Sequence, residues 1–263
     1  MDSSDIDQRF LITGANGFVG THLMESIQRQ CPEVVACVGW SESEKLPELP
    51  SVTWQQLDIR DSGSVEQVVS DTRPTTVIHL AAISHVPTAF ANPERVWQVN
   101  VMGTLYLLES LKRHASDATV LYVSSSEIYG DSFASAQPLD ETAPLAPKNP
   151  YAASKAAADL MAGQYADGGM RIIRVRPSNH VGPGQSTDFV VSAFASQIAR
   201  IEKGLQEPVL SVGNLDAKRD FLHVRDVTNA YLTLIDHSSS LSPGAIFNIC
   251  SGIPRSIREI LEG

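Results

Sequence analysis

Cysteine is scarce here. The 263 residues include three, Cys31, Cys37 and Cys250, with no C-x-x-C pair and no zinc-ligand spacing. That excludes a disulfide framework, and the odd count suits a reducing, cytoplasmic setting. Basic runs are missing too: 20 Lys and Arg stand against 30 Asp and Glu, a net charge of -10. With no cationic stripe to track phosphates, nucleic acid is not expected as a partner, and the acidity reads as a solubility feature. No apolar run nears the ~18–20 residues that cross a bilayer. The opening "MDSSDIDQRF" lacks the basic and apolar regions of a secretory signal, so no membrane association is expected. Internal repeats are absent, and no low-complexity stretch exceeds "HSSSLSPG" at 237–244.

What is present is alternation. Short apolar, β-branched runs at 9–13, 34–38, 52–58, 76–82, 119–125 and 171–177 are separated by helix-length segments, notably 64–71, 93–114 and 151–167. Strands buried on both faces and joined by helices predict an α/β fold, a Rossmann-type doubly wound parallel sheet. After Pro177 the rhythm changes to a loop, a helix near 188–203, a strand near 209–212 and a helix near 225–236. A smaller substrate-binding lobe is expected there. Residues 1–176, with 219–238, form the expected dinucleotide-binding domain; 177–218 and 239–263 form the lobe.

Two patterns carry chemistry. "GANGFVG" at 14–20 places Gly14, Gly17 and Gly20 between the first strand and first helix. Glycines there allow a tight turn and let backbone amides approach a pyrophosphate. The spacing is G-x-x-G-x-x-G, not the G-x-G-x-x-G of many dinucleotide folds, and an ordinary βα turn would also fit it. Asp58, in "QQLDIRD", is either an acceptor for an adenine amine or a plain turn aspartate. At the end of the second strand, Gly39, Trp40 and Ser41 stand where an acid would mark NAD or an Arg NADP. The missing acid favours NADP without excluding NAD.

The second pattern is "PYAASK" at 150–155. Residues four apart share a helix face, so Tyr151 and Lys155 project together, with Pro150 fitted to the first turn. A nearby ammonium favours the phenolate and would bring the tyrosine into range for proton transfer near neutral pH. Ser125, ending the fifth strand, would hydrogen-bond the same substrate oxygen, because open α/β sheets place ligands at their strand carboxyl ends. His79, His85, His180 and His223 fall in separate segments without paired carboxylates, so no metal site is expected.

With "HLAA" at 79–82, "SSSEIYG" at 124–130 and "RPSNHVGPG" at 176–184 in the same order, the chain resembles the extended short-chain dehydrogenases/reductases. Its likeness is to the nucleotide-sugar epimerase/dehydratase/reductase branch. "NHVGPGQSTDFVVSAFASQI" and "VGNLDAKRDFLHVRDV" narrow the likeness to the subgroup reducing GDP-4-keto-6-deoxy-mannose to GDP-rhamnose. The resemblance implies a catalytic triad of Ser125, Tyr151 and Lys155. It leaves Glu127 either as a base or as a ligand of a sugar hydroxyl. Cofactor contacts would fall on Gly14, Asn16, Gly17, Phe18, Val19, Gly20, Asp58, Ile59, Leu80, Ala81 and Ala82, together with Tyr151 and Lys155. Substrate contacts would fall on Ser84, Val86, Ser126, Asn179, Val190 and Arg219, the last a planar fork for phosphate; an ion pair with Asp220 or Asp226 is its structural alternative. The expected function is NAD(P)H-dependent reduction of a 4-keto nucleotide sugar. A GDP-mannose 4,6-dehydratase and a non-enzymatic dinucleotide sensor are the alternatives. A homodimer is expected through 93–114 and 151–167, with Ala153, Ala156 and Ala157 permitting close helix approach. The family pattern continues beyond "NICSG" further than Gly263, so the lobe is expected to be incomplete.

Overall fold

Each apolar run named above becomes a strand of one parallel sheet. The computed structural model describes residues 8–27, 33–38, 49, 52–135 and 137–263. In chain order, β1 (Arg9–Thr13) leads through the glycine turn to α1 (Phe18–Ile27), then β2 (Glu33–Val38), β3 (Val52–Gln56), α2 (Ser62–Thr72) and β4 (Thr76–His79). α3 (Val86–Ala91), α4 (Pro93–Trp97) and α5 (Gly103–His114) follow, the last two joined by a π-helical turn at Gln98–Met102. β5 (Thr119–Val123) precedes a 3₁₀ segment, Ser126–Ser135, kinked at Gly130, and then α6 (Pro150–Asp167). The chain continues through β6 (Ile172–Pro177), β7 (Asn179–Val181), α7 (Val190–Glu202), β8 (Lys218–His223) and α8 (Val224–Asp236). It ends with β9 (Ile246–Ile249), β10 (Pro254–Ser256) and α9 (Ile257–Glu262).

The large sheet runs β3-β2-β1-β4-β5-β6-β9, parallel throughout. Side-chain alternation divides its core in two. Leu11, Val77, Val120, Tyr122 and Ile172 face α2, α5 and α6, while Phe10, Ile12, Ile78, Leu121 and Ile173 face α1 and α8. Each fully buried aliphatic of this kind contributes about 1.5–3 kcal/mol. The helices begin where the sequence supplies caps. Asp61 accepts from the Gly63 and Ser64 amides at the start of α2, and Asn149 from Ala152 N–H at 2.7 Å ahead of α6.

Two expectations need correction. The strand near 209–212 does not form. Val209 is exposed, and the amide of Gln197 engages both backbone groups of Ser211, so those groups are not offered to a ladder. The strand comes later, as β8, in a small sheet ordered β10-β8-β7. The division at 239–263 also differs, because β9 pairs with β6 and extends the large sheet.

Candidate active site

The glycine turn follows from steric necessity. Gly14 has φ +72°, and a Cβ on it would sit 2.8 Å from Ala81 N; one on Gly20 would sit 2.4 Å from Gly14 O. The turn closes by Gly17 N–H donating to Gly14 O at 3.0 Å, and it delivers the chain to the N-terminus of α1. There the first-turn N–H groups have no intrahelical partners and face an anion favourably. The partly buried Phe18 ring stacks on His180 with ring centres 6.1 Å apart, and His22 Nε2 pairs with Pro183 O at 2.8 Å. The glycine turn and the 180–183 loop are thereby joined.

Behind the turn, Ala81 N–H donates to Thr13 Oγ1, which lies 2.6 Å from His79 Nδ1; His79 Nε2 lies 3.0 Å from Thr104 Oγ1. Thr104 itself donates to Asn100 O. Only one proton ordering satisfies this chain: a neutral His79 carrying its proton on Nε2. Burial, and secondarily the Lys155 charge, press its pKa down to about 3. His79 is a satisfied structural residue that fixes the loop of Leu80, Ala81 and Ala82.

At the other end of the loop Asn100, within the π-helical turn, accepts from Ile83 N–H and donates to Ile83 O and Ser154 Oγ. Ser154 in turn donates to Tyr151 O. The Tyr151 phenol is buried beside Ser125, whose hydroxyl also accepts from Glu127 N–H at 3.2 Å. Burial raises the Tyr151 pKa, the Ser125 hydrogen bond opposes that, and the Glu127 charge adds to it. The expected lowering by Lys155 is not found. Its ammonium donates instead to Val123 O and lies 4.7 Å from the centre of the Tyr122 ring. Burial lowers the Lys155 pKa to about 8, against the opposing pull of Asp159.

The structure therefore brings together Ser125, Tyr151, Lys155 and Glu127, with Ser126 adjacent and Val86 packed against the Tyr151 cluster. Ser84 lies on the same loop. Asn179 lies on β7, Val190 opens α7, and Arg219 lies on β8; no hydrogen bond or ion pair joins them to the Tyr151 group. Arg219 pairs with neither Asp220 nor Asp226: its guanidinium donates to Lys218 O, while Asp220 accepts from Ser251 and Gly252. Asp58 is held by a forked contact from Arg60, which lowers its pKa, and borders a depression of about 350 Å³ lined also by Gln98, Met102 and Tyr106. The Ile59 side chain is buried against Gly103, leaving only its backbone for a ligand. Gly39, Trp40 and Ser41 lie outside the described residues.

A glycine turn against a parallel sheet, with a Ser-Tyr-Lys group at its carboxyl edge, agrees with a family comparison. Residues 10–250 match the NAD dependent epimerase/dehydratase family. The chain belongs to that family. It is 40% identical to a GDP-6-deoxy-D-mannose reductase of Pseudomonas aeruginosa, covering 97% of this chain and 78% of that protein. It is 30% identical to a human dTDP-D-glucose 4,6-dehydratase, covering 97% and 72%. Among solved structures, RMD from Pseudomonas aeruginosa complexed with NADPH superposes with a TM-score of 0.79 at 39% identity, covering 97% of this chain and 80% of that one. The family is one of NAD(P)-dependent oxidoreductases of the extended short-chain type, as its motifs led us to expect.

The glycine turn, which can close only without a Cβ at Gly14 and Gly20, brings backbone to the N-terminus of α1 at the sheet's carboxyl edge, an arrangement that fits the pyrophosphate of a dinucleotide. Sequence reading missed the supporting residues. Thr13, Asn100, Asp159 and Arg176 are buried polar side chains that hold the site from behind. Only Asp159 left a trace in the sequence, an acid four residues past Lys155 in an alanine-rich helix.

Proposed function

We propose that this chain reduces the 4-keto group of a nucleotide-activated deoxysugar, GDP-4-keto-6-deoxy-mannose, to give GDP-rhamnose with NADPH or NADH. The observation that carries the reading is the state of Tyr151. Burial keeps the phenol protonated at neutral pH, beside a serine hydroxyl at the sheet's carboxyl edge. A reductase needs a proton donor first, and this phenol is one. The 40% identity to a GDP-6-deoxy-D-mannose reductase supports the same direction.

The bound nicotinamide would supply hydride to carbon 4. Tyr151 gives its proton to the developing alkoxide, a contribution of ~10²–10⁴-fold for general acid catalysis. Ser125 donates a hydrogen bond to the same oxygen. Lys155 holds the ribose next to the nicotinamide and restores the Tyr151 proton. Backbone amides at Asn16 to Gly20 take the pyrophosphate, while Asp58, Ile59 and Leu80 to Ala82 border the adenosine. Ser84, Val86, Ser126 and Glu127 face the sugar. Asn179, Val190 and Arg219 serve the nucleotide diphosphate from the lobe formed by β7, α7, β8 and β10, and the remainder is the cofactor domain. We further propose a homodimer working in the cytoplasm.

A second reading, a 4,6-dehydratase, is favoured by the Glu127 carboxylate, whose charge acts on the Tyr151 phenol. The deciding experiment supplies GDP-mannose and GDP-4-keto-6-deoxy-mannose separately and follows NADPH absorbance. Oxidation of NADPH with the keto sugar alone supports the reductase. Conversion of GDP-mannose without net change in NADPH replaces it with the dehydratase.

A further inference from the structure

Glu127 stands on a segment that does not hold itself in place. Runs of 3₁₀ helix longer than about four residues are uncommon, because their hydrogen bonds are poorly aligned. Ser126–Ser135 spans ten residues and breaks at Gly130. Its first turn is loose, Ile128 N–H meeting Ser125 O at 3.4 Å. The position of Glu127 is therefore set from outside. Part of the support is backbone: Ala146 N–H donates to Ile128 O at 3.1 Å, and Asp131 N–H to Ala146 O at 3.0 Å. The rest comes through the side chain of Tyr129, on the same segment just past Glu127.

Tyr129 is 2% exposed, and its hydroxyl is engaged on both sides. It donates to Asn248 Oδ1 on β9 at 2.8 Å and accepts from Arg176 Nη1 at 2.8 Å. Arg176 is fixed in turn: Nε donates to Asp159 Oδ2 at 3.1 Å and Nη2 to Asp159 Oδ1 at 2.9 Å. Asp159 is fully buried on α6, the helix whose first turn holds Tyr151. Asn248 is fixed too, its N–H donating to the Glu141 carboxylate at 2.7 Å and its side-chain amide to Leu139 O at 3.3 Å. One phenol thus joins the segment under Glu127 to α6 and to β9. A phenylalanine would fill the same space; the hydroxyl adds direction, because a bond from a charged donor constrains geometry. We propose that Tyr129 is a positioning residue for Glu127. Held between Arg176 and Asn248, it keeps Glu127, whose N–H donates to Ser125 Oγ at 3.2 Å, in register with α6 and Tyr151. The proposal rests on the reading above that Glu127 faces the sugar, and it holds whether that carboxylate binds a hydroxyl or acts as a base.

The test is a double-variant cycle in the full chain, read as kcat and KM for GDP-4-keto-6-deoxy-mannose with saturating NADPH. Tyr129→Phe should lower kcat/KM by about two- to tenfold, the range of one lost hydrogen bond, and no further than Glu127→Gln does. NADPH affinity, by fluorescence titration, should stay at the wild-type value. In the double variant kcat/KM should fall no lower than in Glu127→Gln alone, because Tyr129 acts through a carboxylate already gone. A purely structural role gives another pattern: a lower melting temperature with wild-type kcat/KM, or losses that multiply in the double variant. Either result overturns the proposal, as does a loss in Tyr129→Phe larger than that in Glu127→Gln. Should Tyr129→Phe not fold, Asn248→Ala removes the acceptor on β9 and takes its place in the cycle, with the same non-additive outcome expected. Failure of both to fold assigns the hydroxyl to structure alone and overturns the proposal. If Glu127→Gln keeps wild-type kcat/KM while Tyr129→Phe loses it, the reading of Glu127 fails first and the proposal with it.

Discussion

At Gly20 one added methyl group decides whether the nucleotide turn can close. Its carbon would fall 2.4 Å from Gly14 O and 2.6 Å from Ala15 O, both backbone atoms that cannot swing away. Gly20→Ala should destabilise the protein by about 1–3 kcal/mol, as forced overpacking does, and weaken NADPH binding; thermal unfolding and a binding titration measure the two. Tyr151→Phe removes a proton donor and little else. NADPH affinity should stay near wild type while kcat for the keto sugar falls ~10²-fold or more. A variant keeping above a tenth of wild-type turnover would refute the assignment. Glu127→Gln separates the two reaction readings. A lost hydrogen bond costs ~0.5–1.5 kcal/mol, or a few-fold to about tenfold in rate, whereas a lost base costs ~10²–10⁴-fold. Turnover of the keto sugar with excess NADPH should show the smaller effect.

Among the elements, α4, the π-helical turn and α5 form one rod beside α6, and their outer faces carry apolar side chains. Trp97 is 43% exposed, Leu160 61%, and Val101, Leu105 and Met161 are partly exposed beside them. Of the alanines expected to admit a partner helix, Ala153 and Ala157 lie on this outer side, whereas Ala156 is buried. We expect a dimer through this face by light scattering at micromolar concentration, and a monomer from Leu160→Glu. The elements that could be read from the sequence are those that announce themselves locally. Strands β1, β4, β5 and β6 are short, largely buried runs rich in apolar residues, and α6 has its Asn149-Pro150 start. The strands β7 ("NHV") and β10 ("PRS") are three-residue polar segments that exist only because β8 lies between them. Ser125, Tyr151 and Lys155 were legible because helical spacing and a strand end place them. Asp159 and Arg176 meet across a helix–strand contact that no local spacing encodes.

For the whole molecule, buried His79 couples stability to acid. Its folded pKa is about 3 against an ordinary 6.5, so between those values the unfolded chain takes up a proton that the folded one refuses. Stability contributed by His79 is complete above pH 6.5 and is lost as pH falls toward 3, at about 1.4 kcal/mol per pH unit. Denaturant unfolding between pH 6.5 and 4.5 should show this slope, and His79→Gln should flatten it. The seating of β9 has a different consequence, one of timing. Asn248 reaches Tyr129 across 119 positions of sequence, and β9 completes the sheet beside β6. Pairings of such separation are slow to form, and during synthesis this one waits for the last strand of the large sheet to leave the ribosome. Tyr151 and Lys155 are translated long before, but the brace that runs from α6 through Arg176 and Tyr129 has no far anchor until then. A nascent chain halted before Ile246 should carry its reactive pair on a helix not yet fastened, open to proteolysis between β5 and α6.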